Sequence, residues 1–178
     1  ASMNDMILLK SLYTIYQRHW LADVLADVEP ATLCVIRDLL PQAAELASED
    51  LSAYLSRDPA LMGQTSFALV PNSPFLATLC HRLAHLLWTF DGSESLRCAA
   101  YAISQFARVR TGAEIHPAAR IGRRFVLDHG TNTVIGETSR IGDDCYFRQS
   151  RRAAASAPRG SRANRLLRAA PRRYHHRR

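Results

Sequence analysis

Ile115-His-Pro-Ala-Ala-Arg-Ile121-Gly122, running on through Leu127-Asp-His-Gly-Thr-Asn-Thr-Val-Ile135-Gly136 to Ile141-Gly142, is the stretch that decides the fold of this chain. Ile115, Ile121 and Leu127 stand six residues apart, and so do Ile135, Ile141 and Phe147; a glycine directly follows Ile121, Ile135 and Ile141. A period of six fits neither a helix, at about 3.6 residues per turn, nor a strand that alternates every two. It predicts hexapeptide coils, in which each hexad forms one short strand and one turn and its aliphatic residue points into a narrow prism-shaped core. The second set of three is out of phase with the first by two residues. The interruption falls on Asp128-His129-Gly130-Thr131-Asn132, so something other than packing occupies that position.

Upstream, the period is helical. Met6, Leu9, Leu12, Tyr13 and Tyr16 recur at steps of three and four, and Leu33, Val35, Ile36, Leu39 and Leu40 begin a second apolar stripe. Ser73-Pro74 supplies an N-cap and a first-turn proline for a helix whose inner face reads Leu76, Leu79, Leu83, Leu86, Leu87 and Phe90 and which Asp91-Gly92 ends. Ser93 or Ser95 caps the next, with Leu96, Ala99, Ala100, Ile103, Phe106 and Ala107 on one face. The expected fold class is α+β: a helical domain over residues 1–110, the start of a β-helix over 111–147, and a tail over 148–178.

The tail is compositionally foreign to the rest. The whole chain carries +7, but residues 1–147 hold 12 Lys and Arg against all 16 acids, whereas residues 148–178 hold 11 Arg, 7 Ala and no acid. Its only larger apolar residues are Leu166, Leu167 and Tyr174, too few to bury a core, so disorder or a frayed helix over 161–170 is expected. The loss of a strong repeat in mid-course, into Arg, Ala, Pro and Gly, is what an out-of-frame reading of a GC-rich gene produces.

Other classes find little support. No run approaches the roughly 18 apolar residues of a membrane span, and Asn4 and Asp5 stand where a secretory signal would carry positive charge, so a cytoplasmic location is expected. Cys34, Cys80, Cys98 and Cys145 form no CxxC pair and read as reduced thiols. His81 and His85 lie four apart on a helix but without an accompanying acid or cysteine, and their apolar neighbours argue for packing, so no metal is expected. Trp20 and Trp88 read as core or interface aromatics.

Glu114-Ile-His-Pro-Ala-Ala-Arg-Ile-Gly122 followed by Leu127-Asp-His-Gly-Thr-Asn-Thr-Val-Ile-Gly-Glu137 resembles, nearly residue for residue, the linked motifs of the serine O-acetyltransferases, which are hexapeptide-repeat acyltransferases. Arg57-Asp58-Pro59-Ala60 resembles the RDPA of that family's helical domain, and His81-Arg-Leu-Ala-His85-Leu-Leu-Trp88 its following helix. The resemblance spans about residue 5 to residue 147. It implies a left-handed parallel β-helix and transfer of an acetyl group from acetyl-CoA, as co-substrate, to the hydroxyl of L-serine in cysteine biosynthesis.

The resemblance also assigns roles. His129 matches the general base, which suits an imidazole whose pKa lies near working pH. Glu114, where many members carry Asp, matches the acid that orients it. Asp128 and Asp58 match positions that bind the substrate serine, by accepting hydrogen bonds from its ammonium group, and Glu137 takes a supporting role. The family's coenzyme A groove and the Arg-His pair for the serine carboxylate belong to later coils that are not readable here, which implies impaired activity for the chain on its own. Family members assemble as trimers or dimers of trimers, with sites between subunits, and some bind cysteine synthase. Two other readings compete: a hexapeptide acyltransferase acting on a sugar or antibiotic, and a non-enzymatic module whose basic tail binds nucleic acid. The RDPA helical domain argues against the first; the second predicts an affinity that falls steeply with salt and vanishes when residues 148–178 are deleted.

Overall fold

The computed structural model describes residues 28–58, 64–69 and 73–148. The amphipathic segment from Met6 to Tyr16, Trp20, Pro59, Ala60 and the basic segment beyond Arg148 lie outside them. Among the described residues four helices precede the strands, α1 (Pro30–Arg57), α2 (Thr65–Ala68), α3 (Pro74–Phe90) and α4 (Glu94–Thr111). Pro30 and Pro74 occupy first-turn positions, where a missing N–H costs nothing. Of the two candidate serines, Ser93 is the one that precedes α4, but its side chain makes no cap hydrogen bond. Ser73 precedes α3, but its hydroxyl donates backward to the Ala68 carbonyl at 2.6 Å instead of capping the helix.

The three long helices bury one continuous core. Ile36, Leu40, Ala43, Ala47 and Leu51 of α1 face Leu79, Leu83 and Leu87 of α3 and Leu96, Ala100 and Ile103 of α4. Alanines contribute to the buried faces of both α1 (Ala43, Ala44, Ala47, Ala53) and α4 (Ala99, Ala100, Ala107). Two expected core residues sit elsewhere: Leu33 in the first turn of α1 and Phe90 in the last turn of α3 are both exposed. Phe106 is partly buried, with the Arg110 guanidinium 5.1 Å from its ring centre.

Gly112 ends α4 in the left-handed region, with φ of 71°. Six short strands follow: β1 (Glu114–Ile115), β2 (Arg120–Ile121), β3 (Val126–Asp128), β4 (Val134–Ile135), β5 (Arg140–Ile141) and β6 (Tyr146–Arg148). They form three parallel pairs, β1 with β4, β2 with β5 and β3 with β6. The register places Ile115 on Ile135, Ile121 on Ile141 and Leu127 on Phe147. Each partner thus lies 20 residues on, three hexads plus the two residues inserted after Leu127. The phase break in the sequence is a widened corner that leaves the aliphatic stacking intact. Phe125 fills the interior beside these residues, its ring 5.5 Å from that of Phe147.

Side chains from all three long helices satisfy the backbone of the first rung. Ser104 of α4 donates to the Ile115 carbonyl at 2.6 Å. On α3, the His85 Nδ1–H donates to the Pro117 carbonyl at 2.7 Å, and Arg82 donates to the carbonyls of Ile121 at 2.7 Å and Gly122 at 2.6 Å. Asp50 of α1 accepts the Phe125 N–H at 2.8 Å. Buried backbone polar groups need partners, and here the helical layer supplies them. Val126 joins the helical core while Ala77 of α3 joins the core of the strands, so the two layers interlock.

Candidate active site

The widened corner carries the candidate site. Asp128 ends β3, and the chain then turns through three residues with positive φ, His129 at 63°, Gly130 at 58° and Asn132 at 62°. Only glycine adopts this region at no cost, and asparagine and histidine are the side-chain residues enriched there. Gly130 is required for a second reason: a Cβ on it would lie 2.8 Å from Leu127 Cδ2. The corner rests on the end of α4 and the start of β1. Asn132 N–H donates to the Gly112 carbonyl at 2.8 Å, and Glu114 N–H to the Thr133 carbonyl at 2.9 Å. The corner's backbone therefore fixes His129 relative to both Asp128 and the Glu114 backbone.

The side chains divide into a buried and an exposed part. Asp128 is only 10% exposed, and its carboxylate is shared among three partners. Tyr146 donates its hydroxyl to Oδ2 at 2.7 Å, Arg148 Nε lies 3.5 Å from the same oxygen, and His129 Nε2 lies 3.6 Å from Oδ1. The His129 imidazole is 72% exposed and so reaches outward from the end of β3. The Glu114 carboxylate is engaged by Arg108 of α4, at 3.3 Å. Glu137 is exposed in the turn after β4, one corner further along the coil.

Asp58, the residue after α1, belongs to the same neighbourhood as Asp128. Burial pushes the Tyr54 phenol up to about 12, and the charges of Asp58 and Asp128 add to the shift. Tyr146 is likewise pushed up to about 12, by burial first, then by its hydrogen bond to Asp128 and the charges of Asp128 and Asp58. Both phenols keep their protons at neutral pH, and Tyr146 donates its hydroxyl to the Asp128 member of this two-carboxylate patch. Such a patch suits a ligand ammonium group, which offers three donors and one positive charge.

Tyr54, Tyr146 and Arg148 are site neighbours that the motif reading overlooks. For Tyr146 and Arg148 the signal lies in the coil length. Once the corner is known to add two residues, the partner of Asp128 falls 20 residues on, at Arg148.

No family model matches the chain. Over 156 residues it is 36% identical to probable serine acetyltransferase 3 of Oryza sativa subsp. japonica, a match covering 78% of this chain and 50% of the relative. It is 42% identical over 100 residues to the serine acetyltransferase of Bacillus pumilus, covering 56% of this chain and 44% of that one. The relatives are serine acetyltransferases. The chain spans about half the length of these curated serine acetyltransferases. Among solved structures, soybean serine acetyltransferase complexed with serine aligns with a TM-score of 0.53 and 36% identity, over 62% of this chain and 46% of that one. A serine acetyltransferase in complex with CoA aligns with a TM-score of 0.60 and 28% identity, over 78% and 58%.

Proposed function

We propose that this chain forms the helical part and first coils of a serine O-acetyltransferase, which moves the acetyl group of acetyl-CoA onto the L-serine hydroxyl to give O-acetylserine in cysteine biosynthesis. On this reading residues 1–110 are the helical domain, 111–147 begin a left-handed parallel β-helix, and 148–178 are a basic tail whose first residue, Arg148, still ends β6. The observation that carries the reading is the Asp128–His129 pair, a nearly buried carboxylate beside an exposed imidazole at a corner held open by positive-φ residues.

A serine hydroxyl is a weak nucleophile at neutral pH. His129 takes its proton as the oxygen attacks the thioester carbonyl; the C–O bond forms, the C–S bond breaks, and the imidazolium returns the proton to the departing coenzyme A thiolate. Glu114, tied to the corner through its backbone, steadies the imidazolium by turning from Arg108 toward the ring. Asp128 and Asp58 receive the serine ammonium group, and Glu137 supports the corner. Coenzyme A binding falls to further coils, and the protein works as a trimer or dimer of trimers in the cytoplasm, able to pair with cysteine synthase.

The test is an acceptor screen with acetyl-CoA. Thiol release that depends on L-serine, and not on sugars or aminoglycosides, supports the reading; release with those acceptors but not with L-serine sinks it.

A further inference from the structure

We propose that Arg57 is a positioning residue for the acceptor site: by binding Asp144 in the turn before β6, it holds the end of α1 so that Asp58 stays beside Asp128. The inference rests on the reading of Asp58 and Asp128 as the carboxylates that receive the acceptor's ammonium group, and it adds a residue that touches no reacting atom. Arg57 is the last residue of α1 and Asp58 the first beyond it. The Arg57 guanidinium reaches across to the coil, where Nη1 donates to the Asp144 carbonyl at 3.1 Å and Nη2 lies 3.4 Å from Asp144 Oδ1.

Asp144 is itself held from several sides. Its backbone has φ of 58°, a left-handed conformation that aspartate tolerates better than most side-chain residues. Its N–H donates to the Arg123 carbonyl at 2.9 Å, and Arg124 grips both carboxylate oxygens, Nε to Oδ1 at 2.7 Å and Nη2 to Oδ2 at 2.8 Å. Two residues on, Tyr146 donates its hydroxyl to Asp128 at 2.7 Å. The segment 144–146 therefore grips the neighbour of one site carboxylate at its start and the other carboxylate at its end. α1 makes a second contact about two turns earlier, where Glu49 accepts from Arg123 Nε at 2.8 Å and from Nη2. That contact seats the helix on the stacked turns, and Arg57 fixes its tip. The Arg57 and Asp144 side chains are 31% and 52% exposed, and an ion pair so open to water adds little to global stability. Its loss frees the tip of α1 and leaves the fold.

The experiment is a calorimetric titration of the 178-residue chain with L-serine for the wild type, Arg57→Gln, Arg57→Lys, Asp58→Asn and the double variant Arg57→Gln with Asp58→Asn. Circular dichroism and the urea midpoint control for folding. Asp58→Asn is expected to weaken L-serine by about tenfold or more, the scale of a hydrogen bond to a charged group. Arg57→Gln is expected to weaken it by about threefold or more, and Arg57→Lys, which keeps the charge and a donor, to recover part of that loss. Because Arg57 acts through Asp58, the double variant is expected to bind no more weakly than Asp58→Asn alone. If Asp58→Asn weakens L-serine while Arg57→Gln does not, or if Arg57→Gln costs the same in both backgrounds, the proposal is overturned and the reading of Asp58 stands. Wild-type affinity in Asp58→Asn, or a wild type that does not bind L-serine, overturns that reading and the proposal together.

Discussion

Asp50 of α1 and Arg82 of α3 hold each other through two hydrogen bonds, Nε to Oδ2 at 2.7 Å and Nη2 to Oδ1 at 2.9 Å, with the Asp50 side chain wholly buried and that of Arg82 nearly so. Both also reach the first rung, Arg82 through the carbonyls of Ile121 and Gly122 and Asp50 through the Phe125 amide. Burial pushes the Asp50 carboxyl up, and Arg82 and the Phe125 amide oppose that shift. The pair is the joint between helices and strands, and it sets where β3, and with it His129, begins.

Removing one partner leaves the other charged and buried, which costs about 3–5 kcal/mol. Arg82→Met is therefore expected to lose about that much stability in urea unfolding. The double variant Asp50→Leu with Arg82→Met is expected to lose less than the sum of the two single changes, since it leaves no orphaned charge. Additive losses would show that the two side chains act independently.

The glycines that follow the stacked isoleucines are not equivalent. A Cβ on Gly122 would lie 2.4 Å from Asp143 Oδ1 and 2.6 Å from the Asp143 backbone nitrogen, whereas one on Gly136 meets nothing within 4 Å. Gly122→Ala is expected to destabilise the chain by about 1–3 kcal/mol, as overpacking does. Gly136→Ala is expected to change the unfolding midpoint little. Similar losses for both would contradict the stacking of the turn at 143–144 on Gly122.

His81 is buried with neither ring nitrogen hydrogen-bonded. Burial, followed by the charges of Arg82, His85 and His116, holds its pKa well below the usual histidine range. An unfolded chain protonates this residue near pH 6.5, while the folded one keeps it neutral to lower pH. Below about 6.5 the unfolded state therefore binds more protons, and stability falls as pH falls. The urea midpoint is expected to drop between pH 7.5 and 5.5, and His81→Leu to remove part of that drop. An identical decline in the variant would assign it to other groups.

Much of this architecture is legible in the residues themselves. The six-residue spacing of Ile115, Ile121 and Leu127 marks the stacked positions, and Ser73-Pro74 and Asp91-Gly92 mark the ends of α3. The joint is not legible, because Asp50 and Arg82 lie 32 residues apart on helices whose sequence gives no sign of which faces meet. Nor does a motif reveal that Arg108 engages Glu114: nothing in the spacing of either residue specifies that the last turns of α4 pass beside β1. Tyr146 and Arg148 escape notice for a different reason. Their proximity to Asp128 depends on a coil length that the two inserted residues alter.

On the proposed mechanism His129 is the base that activates the serine hydroxyl. The direct measurement is L-serine-dependent thiol release from acetyl-CoA by a chimera in which residues 1–148 run on into the remaining coils of the Bacillus pumilus relative, with and without His129→Ala. Turnover by the parent chimera, reduced about 10²–10⁴-fold in the variant with the helical signal unchanged, is the expected result. A folded parent with no L-serine-dependent release, or equal turnover in the two proteins, would contradict it.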